Sequence, residues 1–296
     1  MRPVLAVAVL ALVLAGCARR RVPEPVPSPH YVVGAGYQAG GTWFYPREDF
    51  HYNATGLAVV QGVGRGLTAD GEAVDPSALT AAHQTLQLPA IARVTNLETG
   101  LQVAVRINDR GPDTPKRLIA LSRRAGELLG IVPGAVTAVR VEVDEAMSVA
   151  VRDQVQGGPR LAVQAAPRGA VVAESLAPPA GIGQSARGRS AGTTQAATAG
   201  SGAAAAVPDR LPETVSRGVA GRGALALDAG HFGQMGYARQ VAARLSGIGA
   251  RVDRVREGRT ERYRVMAGPF ASVAAADAAL DRAMAAGVTD VGIVIE

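Results

Sequence analysis

Hydrophobic and polar residues alternate along residues 101–108, where Val103, Val105 and Ile107 share one face. A period of two predicts a β-strand with one buried side. The other elements predicted nearby are strands near 57–61, 91–97 and 136–143 and a helix that begins at Ser122 and ends before Gly130. Many short strands and one short helix within residues 56–145 favour a small β-barrel over a helical or doubly wound fold.

The C-terminal segment, residues 223–296, has a different order of elements. Strand patterns and helix patterns follow one another as strand, helix, strand, strand, helix, strand, at 225–229, 237–245, 251–255, 263–267, 273–284 and 291–295. A βαββαβ unit of this kind is an α+β fold with its helices on one side of the sheet. The other face of the sheet is therefore expected to be free to bind a ligand.

Between these two segments, residues 146–222 consist mainly of Ala, Gly, Pro, Ser, Gln and Arg and contain no aromatic residue. Such a composition cannot bury enough apolar surface to fold by itself. The sequence predicts a disordered linker here, so that the chain has a mixed architecture of two small domains.

The N-terminus has the pattern of an export signal, with Arg2 followed by an apolar run and then small residues before Cys17. Cys17 is the only cysteine, and its position resembles the lipobox of bacterial lipoproteins, although an ordinary signal with a chance cysteine is the alternative. Lipid on Cys17 would make residues 1–16 a signal peptide and anchor the chain without a transmembrane helix. Because Ala18 follows the cysteine, the resemblance implies an outer-membrane lipoprotein that faces the periplasm. Residues 17–30 carry four prolines and are expected to form an extended tether.

The net charge is +6, and Lys116 is the only lysine. The arginines are scattered among acids rather than interleaved with aromatic residues, which argues against nucleic-acid binding. A positive balance suits an anionic cell-wall polymer. The four histidines show no metal-ligand spacing, and neither a phosphate loop nor a serine-hydrolase elbow is present, so we expect no metal and no cofactor.

Asp109 is the carboxylate that the pattern singles out, because it ends a strand and precedes a Gly-Pro turn. Glu72 and His83 lie in two further polar clusters upstream, and the three groups are hypothesised to converge. The alternative for Asp109 is a cap of the turn through the amides of Arg110 and Gly111. The alternative for His83 is a buried hydrogen bond in the core.

Four motifs of the first segment resemble the double-psi β-barrel domain of the rare lipoprotein A family. They are residues 68–72 (Thr-Ala-Asp-Gly-Glu), 79–83 (Leu-Thr-Ala-Ala-His), 94–97 (Val-Thr-Asn-Leu) and 106–112 (Arg-Ile-Asn-Asp-Arg-Gly-Pro). Residues 228–232 and 263–270 are similar to a SPOR domain. The resemblance implies a septal endolytic peptidoglycan transglycosylase that prefers glycan strands without stem peptides.

By this resemblance the family's catalytic groups fall on Glu72, His83 and Asp109. Asp109 is expected to act as the general acid and then as the base, and Glu72 and His83 to tune or position it. The product would carry a 1,6-anhydromuramic end. Substrate-binding roles are expected for Asn108, Arg110, Trp43, Tyr45, Phe232, Tyr263 and Arg264.

Seven of the eleven aromatic residues lie in an arm, residues 31–55, and residues 56–145 contain none. Sugar rings stack on aromatic faces, so one hypothesis is that the arm folds back to supply a platform. The alternative is that the arm covers an apolar patch of the barrel.

The sequence departs from the family pattern at several positions. Residues 58–62 read Ala-Val-Val-Gln-Gly where an Ala-Ser-Trp-Tyr-Gly motif is usual, and Ala120 stands where an aspartate is usual. Asp113 replaces a common aromatic residue, and Asp228 replaces the usual SPOR glutamine. These departures leave a second hypothesis open, that of an inactive septal lipoprotein that binds peptidoglycan.

Overall fold

A computed structural model describes residues 25–62, 64, 66–155, 207–208, 210–221 and 223–296. The expected signal peptide, Cys17, most of the tether and the middle of the expected linker lie outside these residues. Within the part described, no helix is long and apolar enough to cross a bilayer.

The first domain is a closed barrel of six strands, which pair in the order β4-β7-β3-β8-β5-β6 and then back to β4. The strands are β3 (Asn53–Val60), β4 (Thr80–His83), β5 (Ala90–Asn96), β6 (Leu101–Asp109), β7 (Ile119–Leu121) and β8 (Thr137–Val143). Two of the pairings, β3 with β7 and β4 with β6, are parallel. The predicted small double-psi barrel is confirmed. A short hairpin of β1 (Tyr37–Ala39) and β2 (Thr42–Phe44) precedes it.

The alternating residues of β6 build the barrel core, since Val103, Val105 and Ile107 are at most 1% exposed. The predicted helix is α1 (Arg123–Leu128), and the Ser122 hydroxyl caps it by accepting a hydrogen bond from the Ala125 amide. β4 and β7 were not predicted. They have only four and three residues, too few for a period of two to be recognised.

Order extends into the predicted linker from both ends. Helix α2 (Glu145–Gln154) begins at an Asp144 cap, and β9 (Val215–Arg217) pairs with the start of β6. Val151 is 1% exposed and Leu211 is 5% exposed, and both pack in the barrel core. Contact with the barrel supplies the apolar surface that this composition lacks by itself. The predicted boundary at residue 146 is therefore wrong for these stretches.

The second domain has the predicted α+β order. Its elements are β10 (Leu225–Phe232), α3 (Met235–Arg244), a short 3-10 helix (Ser246–Ile248), β11 (Arg251–Glu257), β12 (Thr260–Phe270), α4 (Val273–Ala285) and β13 (Gly292–Ile295). The antiparallel sheet has the order β11-β12-β10-β13. Leu227, Val265 and Leu280 are fully buried between the sheet and the helices.

The second domain packs directly on β3 of the barrel. The Thr55 hydroxyl donates to the Ile295 carbonyl at 2.8 Å and accepts from the Ile295 amide at 3.0 Å. The Arg117 guanidinium binds both carboxylate oxygens of Asp277, at 2.8 and 3.0 Å. These polar contacts hold β13 and α4 of the second domain beside the barrel wall.

A candidate carboxylate site at the barrel rim

Asp109 ends β6 and lines an open cleft at the rim of the barrel. Its Oδ1 accepts hydrogen bonds from the Ala69 amide at 2.9 Å and from the Arg110 amide at 2.8 Å. Oδ2 has no hydrogen-bond partner among the described residues. The turn-cap alternative therefore accounts for one oxygen of this carboxyl, with Ala69 in the place expected for Gly111. The other oxygen is available to a ligand.

The walls of this cleft come from four parts of the chain. They are Gln61, Gly62, Gly64, Leu67, Thr68, Val74, Asp75, Pro76, Thr80, Ala81, Asn108, Ser122 and Arg123. Six of the fourteen lining residues are Gly, Ala, Ser or Thr, and these small side chains leave room for a polar ligand. Among the described lining residues there is no aromatic side chain, in agreement with the composition of this segment.

Glu72 is held more tightly than Asp109. Its Oε1 accepts from the Arg106 Nε at 2.7 Å and also contacts Arg106 Nη2, and its Oε2 accepts from the side-chain Nδ2 of Asn108 at 2.8 Å. The side chains of Glu72 and Arg106 are 17% and 8% exposed. A carboxylate with both oxygens bound and a paired cation is a fixed negative charge.

Glu72 lines a second, adjacent cleft that shares Asp75, Thr80 and Asn108 with the first. Arg210 and Leu211, from the segment predicted as linker, form one wall of this second cleft. Arg210 is held there by Asp75 at 3.1 Å. The two carboxylates thus occupy neighbouring openings joined through Asn108.

His83 lies in neither cleft and is 2% exposed. Its Nδ1 accepts from the amides of Thr85 and Leu86, both at 3.2 Å, and its Nε2 lies 3.1 Å from the Tyr52 hydroxyl. Burial first, and then the positive charges of Arg110 and Arg47, lower the pKa of His83 to about 3. The ring is therefore neutral and satisfied, as the core alternative for this residue expected. The structure does not bring it together with the two carboxylates.

Arg110 was expected to bind substrate, but its guanidinium is used inside the fold. Nη1 donates to the carbonyls of His83 and Leu86, and Nη2 donates to the Val33 carbonyl at 2.6 Å. Burial lowers the pKa of Arg110. An arginine that binds three main-chain carbonyls ties together three segments and has little left for a ligand. Asn108, by contrast, lines both clefts and holds Glu72.

Part of the aromatic arm covers the barrel, as the second hypothesis expected, and two of its aromatic side chains stay exposed. Phe44 is 7% exposed and packs near Tyr37, with ring centroids 5.5 Å apart, and Tyr52 packs edge-on against His83. Trp43 and Tyr45 point away from this cover and are 56% and 68% exposed. Their rings are nearly parallel at 6.4 Å. One exposed aromatic pair therefore remains beside the barrel.

The three residues expected to bind glycan on the C-terminal sheet do not share a face. Phe232 and Tyr263 pair across β10 and β12 and pack against the core under the helices. Arg264 lies on the opposite face, because strand residues alternate. There Asp228 binds Arg264 at 2.9 Å, and Glu296 contacts both Arg264 and Arg251. The sheet face that carries Arg264 is thus charged, and Phe232 and Tyr263 lie on the other face.

The substituted positions lie close to the site. Ala82 pairs with Asp109 on one side and with Ala120 on the other. Ala120 is therefore on the order of 10 Å from Asp109 along a cross-strand row. Gln61 and Gly62 line the Asp109 cleft directly.

Asp70 is the polar residue that sequence reasoning missed, although it lies within the motif of residues 68–72. It is 0% exposed, and its Oδ1 accepts from the Thr68 hydroxyl at 2.6 Å and from the Glu72 amide at 3.2 Å. An aspartate two residues after a threonine and directly before a glycine is typical of a side-chain-capped turn. The sequence therefore indicates the turn at Asp70, but it does not indicate that the Asp70 side chain is buried. Among the described residues, no group of three or more His, Cys, Asp or Glu side chains is arranged to hold a metal.

Comparison with protein families gives two matches to this chain. Residues 39–143 match the model described as lytic transglycolase, and residues 221–291 match the SPOR domain. The first match covers the barrel, the Asp109 cleft and all of the Glu72 cleft except the wall formed by Arg210 and Leu211, and the second match covers most of the C-terminal domain.

Individual proteins match as well. The endolytic peptidoglycan transglycosylase RlpA of Pseudomonas aeruginosa PAO1 is 34% identical over 262 residues, which is 85% of this chain and 74% of that protein. The protein of the same name from Escherichia coli K12 is 47% identical over 96 residues, 31% of this chain and 26% of that protein. The crystal structure of the RlpA SPOR domain from P. aeruginosa matches 24% of this chain and 99% of that chain, at 24% identity and a TM-score of 0.23.

Proposed function

The chain belongs to the RlpA family of endolytic peptidoglycan transglycosylases, and from that premise we propose that the Asp109 cleft cleaves the bond between N-acetylmuramic acid and N-acetylglucosamine. We further propose that glycan strands without stem peptides are the preferred substrate. The observation that carries the proposal is the Asp109 carboxyl, which has one oxygen fixed by two amides and the other available in an open cleft.

Asp109 would supply the proton that the leaving oxygen needs. Glycosidic cleavage requires a general acid because an alkoxide is a poor leaving group, and positive charge builds on the sugar ring as the bond breaks. Oδ1 is held rigidly by Ala69 and Arg110, so the proton is carried on Oδ2. The same oxygen then takes a proton from the muramic 6-hydroxyl, whose oxygen closes the 1,6-anhydro ring. The proton balance is restored without water.

Glu72 would act through its charge. Arg106 and Asn108 bind its two oxygens, so it does not deliver a proton readily, but it places negative charge beside the cleft that Asn108 shares. Fixed charge of this sign stabilises a developing oxocarbenium ion. His83 is assigned a positioning role, because its ring holds the turn whose carbonyls bind Arg110, the neighbour of Asp109.

The exposed Trp43 and Tyr45 pair is proposed as an accessory platform for the glycan strand. These two aromatic side chains are the exposed ones beside the barrel, and sugar faces stack on such rings. Arg264 on the free face of the C-terminal sheet is proposed to bind the same polymer, while Phe232 and Tyr263 support that sheet from beneath.

Placement at the septum completes the proposal. A SPOR domain that binds naked strands, together with lipid on Cys17 in the outer membrane, would hold the barrel close to its substrate in the periplasm. Tethering raises the effective concentration of sites that a linker can reach.

The proposal is tested by incubating the chain without its first 17 residues with amidase-stripped glycan strands. Mass spectrometry of the products is expected to find 1,6-anhydromuramic ends from the natural sequence and from Asp113→Asn, a control at an exposed carboxylate near the same turn. Asp109→Asn is expected to give none above background. An absence of anhydro ends from the natural sequence, with retention of strands in a pull-down, would support the inactive binding protein instead.

The platform is tested separately with Trp43→Ala and Tyr45→Ala, each compared with Tyr237→Ala, an equally exposed aromatic residue of the second domain. Loss of the stacking pair is expected to weaken glycan binding by about 1 to 2 kcal/mol. Equal binding by all three variants would exclude the platform.

A further inference from the structure

Asp70 is a buried carboxyl that the cleavage scheme does not use. It is 0% exposed, and although Oδ1 has two donors, Oδ2 is buried without a hydrogen-bond partner among the described residues. An ionised oxygen in that situation is strongly unfavourable, since nothing replaces the water it has lost. The fold buries the Asp70 carboxyl despite this free-energy cost, which indicates that the residue has a specific role.

Residues 68–72, which we call the acid loop, connect Asp70 to both carboxylates of the site. Ahead of Asp70, the Ala69 amide donates to Asp109 at 2.9 Å. Beyond it, the Glu72 amide donates to Asp70 itself, and the Glu72 side chain reaches Arg106 and Asn108. The shape of one short loop therefore determines where both acidic groups lie.

An N-terminal strap, residues 28–33, covers this loop. The Ser28 amide donates to the Gly71 carbonyl and the His30 amide to the Asp70 carbonyl, both at 2.9 Å. Gly71 has a φ of +84°, and a Cβ there would lie 2.4 Å from the Ser28 carbonyl oxygen. The strap thus packs against the backbone of the loop at Asp70 and Gly71.

We propose that Asp70 is a positioning residue whose neutral carboxyl keeps the acid loop in the shape that presents the Ala69 amide to Asp109 and fixes Glu72 beside Arg106. Ionisation of Asp70 loosens the loop, because an anion with one bare oxygen is driven toward water. This inference rests on the proposed cleavage function, since Asp109 and Glu72 are the groups that it positions.

The charges around Asp70 favour a titration near neutral pH. Burial is the largest influence and Glu72 acts in the same direction, while the Thr68 hydroxyl, the Glu72 amide and Arg106 oppose them, and together they raise the pKa of Asp70 to about 6. Arg110 lies within electrostatic range, and the His30 ring on the strap faces Gly71. The neutral form therefore predominates below pH 6 and the ionised form above it.

The test compares the pH profile of kcat for the natural sequence with those of Asp70→Asn, Asp70→Ala and the control Asp113→Asn. If kcat follows the neutral fraction, it falls about tenfold per pH unit above the pKa of Asp70. Asparagine keeps the Oδ1 acceptor and cannot ionise, so Asp70→Asn should lose this decline and keep KM within about twofold. Asp70→Ala should lower kcat at every pH, and Asp113→Asn should keep the natural profile.

A second measurement does not depend on activity. The amide shifts of Ala69 and Glu72, observed by NMR, should titrate with a midpoint near pH 6 in the natural sequence and not in Asp70→Asn. No such titration, or an unchanged pH decline of kcat in a folded Asp70→Asn, would overturn the inference. Titrating amides in a chain that cleaves no glycan would overturn the cleavage function and still support Asp70 as the group that holds the loop.

Discussion

Two polar regions lie near the C-terminal end of β6. They contain similar residue types but differ in whether the polar atoms are available to a ligand. In the carboxylate clefts, Asp109 keeps one oxygen available and Glu72 is 17% exposed. In the histidine pocket formed by Tyr52, His83 and Arg110, the polar atoms are bound to backbone groups or to each other. A polar residue beside the site is therefore a candidate for chemistry only if the fold leaves one of its atoms unused.

The largest expected effect is on the rate of glycan cleavage, which should depend strongly on the carboxylate clefts and weakly on the histidine pocket. Asp109→Asn should lower the rate of glycan cleavage by about a thousandfold, because general acid–base catalysis contributes on that order and asparagine carries no transferable proton. Its stability should hardly change, since the Asn oxygen still accepts from Ala69 and Arg110. His83→Gln should keep the rate within about tenfold. Initial rates of anhydro-end formation measure both variants. Equal losses of rate would contradict the assignment of the chemistry to Asp109 and not to His83.

Removal of the cation that holds Glu72 is the next largest effect, and it concerns stability. Arg106→Met leaves a mostly buried carboxylate with one donor, so the free energy of unfolding in urea should fall by about 3 kcal/mol. Adding Glu72→Gln should recover part of the loss, because the uncompensated charge is gone. Full additivity of the two substitutions would contradict a direct pairing.

The histidine pocket should make the protein sensitive to acid. His83 has a pKa of about 3 in the folded chain and of 6.5 as an ordinary histidine, so the unfolded chain binds more protons as the pH falls through 6.5. Stability therefore declines on acidification from pH 6.5 toward pH 3. Between pH 7 and pH 4.5 this contribution amounts to about 2 to 3 kcal/mol.

His83→Gln should lose that part of the acid sensitivity, at a stability cost of about 1 to 2 kcal/mol at pH 7 from the altered bonds to Thr85 and Leu86. Unfolding curves of both proteins at the two pH values measure it. A difference that does not depend on pH would mean that His83 binds a proton as readily in the folded chain as in the unfolded chain, and would contradict the lowered pKa.

The smallest expected effect concerns the Tyr52 hydroxyl in the histidine pocket. Tyr52→Phe removes the hydroxyl beside His83 Nε2 and should cost about 1 kcal/mol of stability, while glycan cleavage stays unchanged. A loss of rate beyond about threefold would connect the pocket to the clefts by a route other than positioning.

The sequence predicts some residues of the site and not others. Asp109 and Glu72 were named from motif positions, and the structure places them in adjacent clefts. Arg110 was expected to face substrate, but it lies where three carbonyls converge from distant segments, which no local pattern records. Asp70 is fully buried, and its main chain is bonded to a strap from residues 28–33 that is distant in the sequence, so no local pattern indicates its burial.

The secondary-structure elements also divide into those that a local pattern predicts and those that depend on tertiary contacts. The bounds predicted for β5, β6 and β8 agree with the structure within one residue at each end, since their period is local, whereas β3 begins four residues and β12 three residues before the predicted start. The short β4 and β7, the helix α2 and the strand β9 form because the barrel offers edges and apolar surface to them. Their stability comes from contacts far apart in the chain, and propensity over a few residues is weaker than such contacts.

The sequence by itself determined that there are two small domains, that the first is a barrel, and which motif positions carry carboxylates. Periodicity, caps and turn residues are local, so they can be recognised along the chain. The tertiary structure alone decided that Asp109 keeps an oxygen available, that His83 is neutral, that Arg110 is occupied and that Asp70 is buried. The physical reason is that burial and hydrogen-bond satisfaction depend on segments brought together only when the chain folds.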